Sequence, residues 1–397
     1  MRLSFLIPAL LSAMIAVAED PRPVWDMEKL SHAPQIFPAP GFERPGLKAL
    51  FFEGLPYKGK PTRVFAWIGL PEGASKDKKV PAMVLVHGGG GTAFENWVKL
   101  WTGRGYAAIS MDTCGALPGG EHSKRPRSEN GGPPGWGGFD QIGEPLTDQW
   151  TCHAVADVIL AHSLLRSLPE VDSEKIGLTG ISWGGYLTCI VSGVDSRFKC
   201  AVPVYGCGYL GDNSAWLADF KKMGAENAAR WLSLWDPAAH LPRITIPTLW
   251  VTGTNDFAYP MDSLQKSYRL PKAPHFLAIR PRMPHGHGPA GENPEEIRIF
   301  ADSFFKNGKA LPAIVSQARE GNAVSVKWKS ETPILKAELH YTLGTGSFKE
   351  RKWVAAPATI DAASHSVKAT LPDGVKMYFI NITDDRQVIA SSEHVEL

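Results

Sequence analysis

One short stretch restricts this chain more than any other: IGLTGISWGGYLTCI, residues 176–190. An apolar run ends at Ser182, which stands between Gly180 and Gly184 with Ile181 and Trp183 interposed. A G-x-S-x-G pattern between a buried strand and a helix marks a sharp, strained turn. It stands a serine hydroxyl above the carboxyl edge of a parallel sheet, at the positive end of a helix. The flanks supply that setting. Ile176 and Leu178 make KIGLTG a short buried strand, and GGYLTCIVSG reads as a helix start packed closely on it. Such a serine is a nucleophile only when a base takes its proton and a carboxylate orients the base. In this kind of sheet the chain order is serine, acid, histidine, each in a loop after a strand.

The rest of the chain meets that requirement. After the strand TLWVTG comes TNDFAYP, with Asp256 just past the strand end. After the strand HFLAIRP comes RMPHGHGPAGENPEE, which holds His285 and His287. His287 is the preferred base, because glycine on both sides lets the loop bring its imidazole close to the serine; His285 is the competitor. Each feature alone has an ordinary explanation, a turn aspartate or a loop histidine; the argument rests on the order of all three. The oxyanion formed by serine attack needs preorganised donors. The backbone N–H of Trp183 is one. The other comes from HGGGG, His87–Gly91, with Gly89 preferred and Gly90 next. Glycine-rich loops also cradle phosphates, but a P-loop and a dinucleotide fingerprint are both missing from the sequence. No cofactor is called for. Without a C-x-x-C pair or a histidine cluster, no metal is called for either.

Short apolar runs alternate with helical patterns from about residue 60 onward: RVFAWIGLP, PAMVLVHGGGG, GYAAISMD, KIGLTG, CAVPVYG, IPTLWVTG and HFLAIRP are strands. DQWTCHAVADVILAHSLLRSL carries apolar residues at helical spacing. NPEEIRIFADSFFKNG is a helix with Asn293 as its cap, Pro294 at its first position and Gly308 at its end. This alternation predicts an α/β fold with a mostly parallel sheet covered by helices on both sides. Residues 19 to about 60 are Pro-rich and aperiodic, and read as a strap across the surface. After about residue 310 the period becomes two. Val324, Val326 and Trp328 alternate with polar residues, as do Val367, Ala369 and Leu371, and Tyr378, Ile380 and Ile382. That predicts a small immunoglobulin-like β-sandwich. The expected division is 1–18, 19–310 and 311–397, with every site residue before the sandwich.

Residues 1–18 have Arg2, an apolar core and Ala16-Val17-Ala18 before Glu19, which predicts a secretory signal and export to the periplasm or medium. The formal net charge of the 397 residues is +2, which points to neither nucleic acid nor an anionic membrane as a partner. Cys114, Cys152, Cys189, Cys200 and Cys207 are too sparse for a disulfide scaffold.

From about residue 60 to 308 the chain resembles an α/β-hydrolase of the acetyl-xylan esterase, cephalosporin-C deacetylase and dienelactone-hydrolase group. The resemblance is carried by LVHGGGG, GYAAISMD, LPEVDSEKIGLTGISWGGY, SRFKCAVPVYG, IPTLWVTGTNDFAYP and PHGHGP. LPEVDSEKIGLTG and GTNDFAYP are also similar to prolyl-oligopeptidase-type hydrolases. The resemblance implies Ser182 as nucleophile, Asp256 as acid and His287 as base. Two departures stand out: Ser182 where dienelactone hydrolases have a cysteine, and Gly89 where the deacetylases have a bulky residue.

The loop Cys114–Gly143 follows a strand on the catalytic side and is expected to border the site. It is polar, with Trp136 and the cations Lys124, Arg125 and Arg127. Trp136 and Arg125 are the expected substrate contacts. This character suits a hydrated carbohydrate ester better than a lipid. A second insertion carries Trp216, Trp231 and Trp235, residues that could stack on sugar faces but at helical spacing are more often core. The expected activity is an exported serine carboxylester hydrolase acting on a small-molecule or polysaccharide ester such as acetylated xylan. A prolyl-oligopeptidase-like peptidase and a non-catalytic glycan-binding protein are the alternatives.

Overall fold

The structure is a computed structural model and describes residues 24–397. The expected export signal at 1–18 lies outside the described residues. Nine strands are joined in one sheet: β1 (Ile36–Pro38), β2 (Leu47–Glu53), β3 (Arg63–Gly69), β4 (Val80–Val86), β5 (Ala107–Met111), β6 (Val171–Ile181), β7 (Cys200–Val204), β8 (Thr248–Gly253) and β9 (His275–Arg280). Their order is β1-β2-β3-β5-β4-β6-β7-β8-β9. β5, β4 and β6 through β9 run parallel, while β1, β2 and β3 are antiparallel to their neighbours. β5, β7 and β8 are buried along their whole length, as continuous apolar strands in a covered parallel sheet must be. The helices Glu95–Gly103, Trp150–Ser167, Trp183–Val194 and Glu295–Phe305 pack on the sheet. Trp150–Ser167 is apolar on nearly every face and is buried from Trp150 to Leu165.

Two local expectations are corrected. The stretch expected as a strap is, over its described residues 24–60, more than that, since β1 and β2 extend the main sheet. In LKALFFE, Leu50 and Phe52 turn inward, but the Phe51-Phe52 doublet hides the alternation. The helix Glu295–Phe305 begins after Pro294 without a side-chain cap. Asn293 Oδ1 instead accepts from the Arg104 guanidinium at 2.5 Å, a partner that local sequence cannot reveal.

Beyond residue 312 two antiparallel sheets face each other as a β-sandwich. One contains Ala313–Glu320, Ala323–Lys329, Thr359–Asp361 and Ser366–Thr370; the other is built on Ile334–Thr342 and Met377–Asp384. Val324, Val326, Trp328, Leu339, Ile380 and Ile382 fill the space between them. The strand Met377–Asp384 is buried on both faces. Tyr378, Ile380 and Ile382 face the sandwich core, while Met377 and Phe379 join the hydrolase core. Period two thus serves two cores with one strand.

The sandwich covers β9, which would otherwise be an open sheet edge. Ile279 N–H donates to Ser391 Oγ at 2.8 Å, and Asn381 Nδ2 donates to the Ile279 carbonyl at 3.0 Å. The buried Glu296 carboxylate accepts from Arg280 and from Ile389 N–H, the latter at 2.9 Å.

Candidate active site

Ser182 lies where β6 meets the helix Trp183–Val194, with φ 58° and ψ −118°. For a residue with a side chain this is a strained backbone, and it persists only where the surroundings enforce it. Ser182 N–H donates to the Val204 carbonyl and its own carbonyl accepts from Tyr186 N–H, both at 2.9 Å. The motif's glycines are steric necessities. A Cβ on Gly180 would lie 2.2 Å from the Gly184 carbonyl oxygen, and one on Gly184 would lie 2.0 Å from that of Val86. The helix start therefore sits directly on the end of β4.

The structure places His285, not His287, between serine and acid. His285 Nε2 is 2.8 Å from Ser182 Oγ, and its Nδ1 is 2.6 Å from Asp256 Oδ2. With Nδ1–H donating to the carboxylate, Nε2 is free to accept from the serine hydroxyl. The Asp256 side chain is wholly buried, and its Oδ1 accepts from Ala258 N–H at 2.9 Å and Tyr259 N–H at 2.8 Å. Tyr205 supports the base from β7's end. Its ring stacks on the imidazole at 4.6 Å, and its hydroxyl donates to the Pro284 carbonyl at 2.9 Å.

His287 has both nitrogens engaged elsewhere. Its Nδ1 is 2.9 Å from Glu292 Oε1, and its Nε2 accepts from Gly88 N–H at 3.0 Å. Its ring packs on Phe94 at 4.2 Å. The expectation failed because flanking glycines confer freedom, whereas a base must be held. Pro284 and Tyr205 hold His285, and Glu292, five residues further on, claims His287.

The glycine-rich loop abuts the nucleophile. A Cβ on Gly88 would lie 3.1 Å from Ser182 Cβ, and one on Gly89 only 2.7 Å from Trp183 Cδ1. Trp183 thus fills the space that a bulky residue at position 89 would need. The Gly88 carbonyl accepts from His87 Nδ1–H at 2.8 Å and Gly91 N–H at 3.2 Å. The planar peptide therefore turns the Gly89 N–H the opposite way, and that N–H has no acceptor among the described residues. Burial lowers the His87 pKa to about 3, so its ring is neutral and Nε2 accepts from Thr113 N–H at 3.1 Å. The nearby Asp112 carboxyl is pushed up to about 6 by burial, against the pull of the Cys114 and Ala116 N–H groups. At 3.7 Å from a neutral imidazole, it forms no ion pair with His87. Trp183 opens its helix, so its N–H is one of the unpaired donors of the N-terminus.

The loop 114–143 lies over the glycines. His122 Nε2 is 3.1 Å from the Gly89 carbonyl, and Ser123 N–H donates to the Gly90 carbonyl at 3.0 Å. Trp136 is half-buried, edge-on to His87 at 5.6 Å and close to the Gly89 backbone. Arg125 sits 5.9 Å above Phe94 while donating to the carbonyls of Gly119 and Gly120. Trp231 and Trp235 are core residues, but Trp216 is half-buried and packs on Trp183 at 4.5 Å. Sequence reasoning missed Phe257, which is 54 % exposed with its ring 4.9 Å from that of His285. Its place next to Asp256 was the available signal. All five cysteines are free and buried, and the Cys114 thiol faces Asp112.

Sheet order, nucleophile turn and helical cover define an α/β-hydrolase. More narrowly, the site holds the serine, histidine and carboxylate arrangement of a serine hydrolase, and the solved structures that the chain resembles share the fold. A profile of the prolyl oligopeptidase family matches residues 139–307. A probable dipeptidyl-peptidase 5 of Aspergillus terreus is 25 % identical over 235 residues, 55 % of this chain and 30 % of that protein. The dipeptidyl-peptidase 5 of Schizosaccharomyces pombe is 29 % identical over 138 residues, 33 % of this chain and 17 % of its own. The chain spans under a third of the length of the curated relatives it matches. Among solved structures, an acetyl xylan esterase from Paenibacillus sp. R4 superposes with a TM-score of 0.57 at 23 % identity, covering 75 % of this chain and 96 % of that one. Acetyl xylan esterase 1 from Thermoanaerobacterium sp. JW/SL YS485 gives 0.51 at 18 % identity, covering 66 % and 89 %.

Proposed function

We propose that the protein is an exported serine carboxylester hydrolase that removes small acyl groups, acetyl foremost, from a plant polysaccharide or its oligomers. The observation that carries the hydrolytic reading is the unbroken line Ser182 Oγ–His285–Asp256 at 2.8 and 2.6 Å. In this mechanism Ser182 Oγ attacks the acyl carbon as its proton passes to His285 Nε2. The oxyanion is received by the N–H groups of Gly89 and Trp183. Asp256 stabilises the imidazolium through Nδ1–H. The tetrahedral adduct collapses to an acyl-enzyme as the alcohol leaves with the proton from Nε2. Water, deprotonated by the same nitrogen, then releases the carboxylic acid and restores Ser182.

The substrate class is supported by the surroundings. The leaving alcohol must lie beside His285, where Phe257 offers an exposed aromatic face. Apolar faces of pyranose rings suit such a surface. On the oxyanion side Trp183, Trp136 and the Gly89 backbone crowd together, which favours a small acyl group. The names of the structurally similar esterases agree with this class. The dipeptidyl-peptidase 5 relatives supply the second reading, cleavage of a peptide by the same triad.

The deciding assay compares acetate release from acetylated xylan with release of 4-nitroaniline from dipeptidyl anilides by the purified enzyme. Acetate release with inert anilides is expected; the reverse pattern overturns the esterase reading. Residues 1–18 as an export signal belong to the same proposal, and N-terminal sequencing of secreted protein beginning at Glu19 is its test.

A further inference from the structure

We infer that the C-terminal β-sandwich is part of the catalytic apparatus, acting through Asn255 and Thr254 as positioning residues for the acid and base loops. The inference rests on the triad reading above. It starts from one amide. The two N–H groups of Asn255 Nδ2 are shared among the carbonyls of Phe348, Lys349 and Arg351, which lie 2.9, 3.1 and 2.8 Å away. These carbonyls belong to a short turn of the sandwich, Phe348–Glu350, and the residue after it. Phe348 is itself buried in the hydrolase core, so the turn is anchored. Asn255 immediately precedes Asp256, and the amide therefore ties the acid loop to the sandwich.

The tie continues to the base. Thr254 Oγ1–H donates to Asn255 Oδ1 at 2.8 Å, and the same oxygen accepts from Arg282 N–H at 3.0 Å. Thr254 is fully buried, so water does not compete for these bonds. Arg282 lies in the loop that carries His285, at φ 52°, a backbone conformation that needs such an anchor. One chain of hydrogen bonds thus runs from the sandwich turn through Asn255 and Thr254 to the base loop. Neither residue touches Ser182, Asp256 or His285 through its side chain. Their effect is on where the 2.6 Å Asp256–His285 contact forms, and a displacement of about 1 Å in such a constellation costs about 100-fold in rate.

The test uses the full chain and the rate of Ser182 labelling by a fluorophosphonate, alongside kcat and KM on 4-nitrophenyl acetate. Asn255→Ala is expected to lower both the labelling rate and kcat about 10- to 100-fold, with KM within a few-fold of wild type. Thr254→Val, similar in size but without the hydroxyl, is expected to fall in the same direction, and Thr254→Ser to restore wild-type rates. The downfield proton resonance of the His285–Asp256 hydrogen bond should be sharp in wild type and broadened or lost in Asn255→Ala. A merely structural role would lower the folded fraction while leaving kcat per labelled site unchanged. That outcome, or wild-type labelling rates in both Asn255→Ala and Thr254→Val, overturns the inference. Failure of wild-type protein to label at Ser182 removes the triad reading itself, and with it this proposal.

Discussion

Replacing Asp256 by asparagine isolates what the acid does. The carboxylate has two separate duties: Oδ1 accepts two backbone N–H groups, and Oδ2 accepts from His285 Nδ1. Asparagine has one acceptor oxygen and one NH2 group. The oxygen must stay with Ala258 and Tyr259, because an NH2 there would face two donors in a buried site. The NH2 is then turned to His285 Nδ1 and donates to it. This fixes the tautomer with the proton on Nε2, which cannot take the proton of Ser182. The expected loss in kcat is about 10,000-fold, or about 5.5 kcal/mol of transition-state stabilisation. Stability should barely change, since both backbone bonds remain. Asp256→Ala, by contrast, strands two buried N–H groups at about 1–3 kcal/mol each and should melt visibly earlier. Initial rates on 4-nitrophenyl acetate and thermal melts followed by circular dichroism measure both effects. Asp256→Asn activity within tenfold of wild type, in protein free of deamidation, refutes the reasoning.

Other expectations follow from the same geometry. Ser182→Ala and His285→Ala should both lose activity by orders of magnitude, whereas His287→Ala should retain far more, because His287 braces Gly88 and does not face Ser182; comparing kcat of the three settles the base. Gly184→Ala should destabilise the fold by about 3 kcal/mol in urea melts, since its Cβ would lie 2.0 Å from the Val86 carbonyl oxygen. Phe257→Ala should raise KM for acetylated xylo-oligosaccharides several-fold and leave vinyl acetate, with its small leaving group, unaffected. Burial depresses His87 to about 3 and His153 and His394 to about 4, so below the usual value of 6.5 the unfolded chain binds protons that the folded chain does not. Each therefore removes up to about 1.4 kcal/mol of stability per unit fall in pH, from near 6.5 down to its folded value. Asp112 and Asp236, raised to about 6 by burial, act in the opposite sense from 6 down to about 3.8. The melting temperature should fall between pH 7 and 5, and His394→Asn should flatten that slope.

The sequence by itself determined what is local or periodic. The G-x-S-x-G turn was legible because its strain and crowding are satisfied by five consecutive residues and their flanks. Asp256 was legible as the aspartate at the end of an apolar strand, and the sandwich as a switch to period two. Tertiary structure decided what depends on partners distant in the chain. His285 and His287 differ by one glycine in MPHGHG, and nothing within that stretch separates them. The choice is made by Tyr205, 79 positions before Pro284, and by Gly88, 199 before His287, each supplying a hydrogen bond that only the folded sheet brings within reach. The same holds for the sandwich. Its alternation foretold its own core, but its bearing on catalysis comes from Asn255 meeting carbonyls more than 90 residues away. Periodicity records which face of an element is buried, whereas the direction of a loop side chain is set by whichever distant group satisfies its hydrogen bonds.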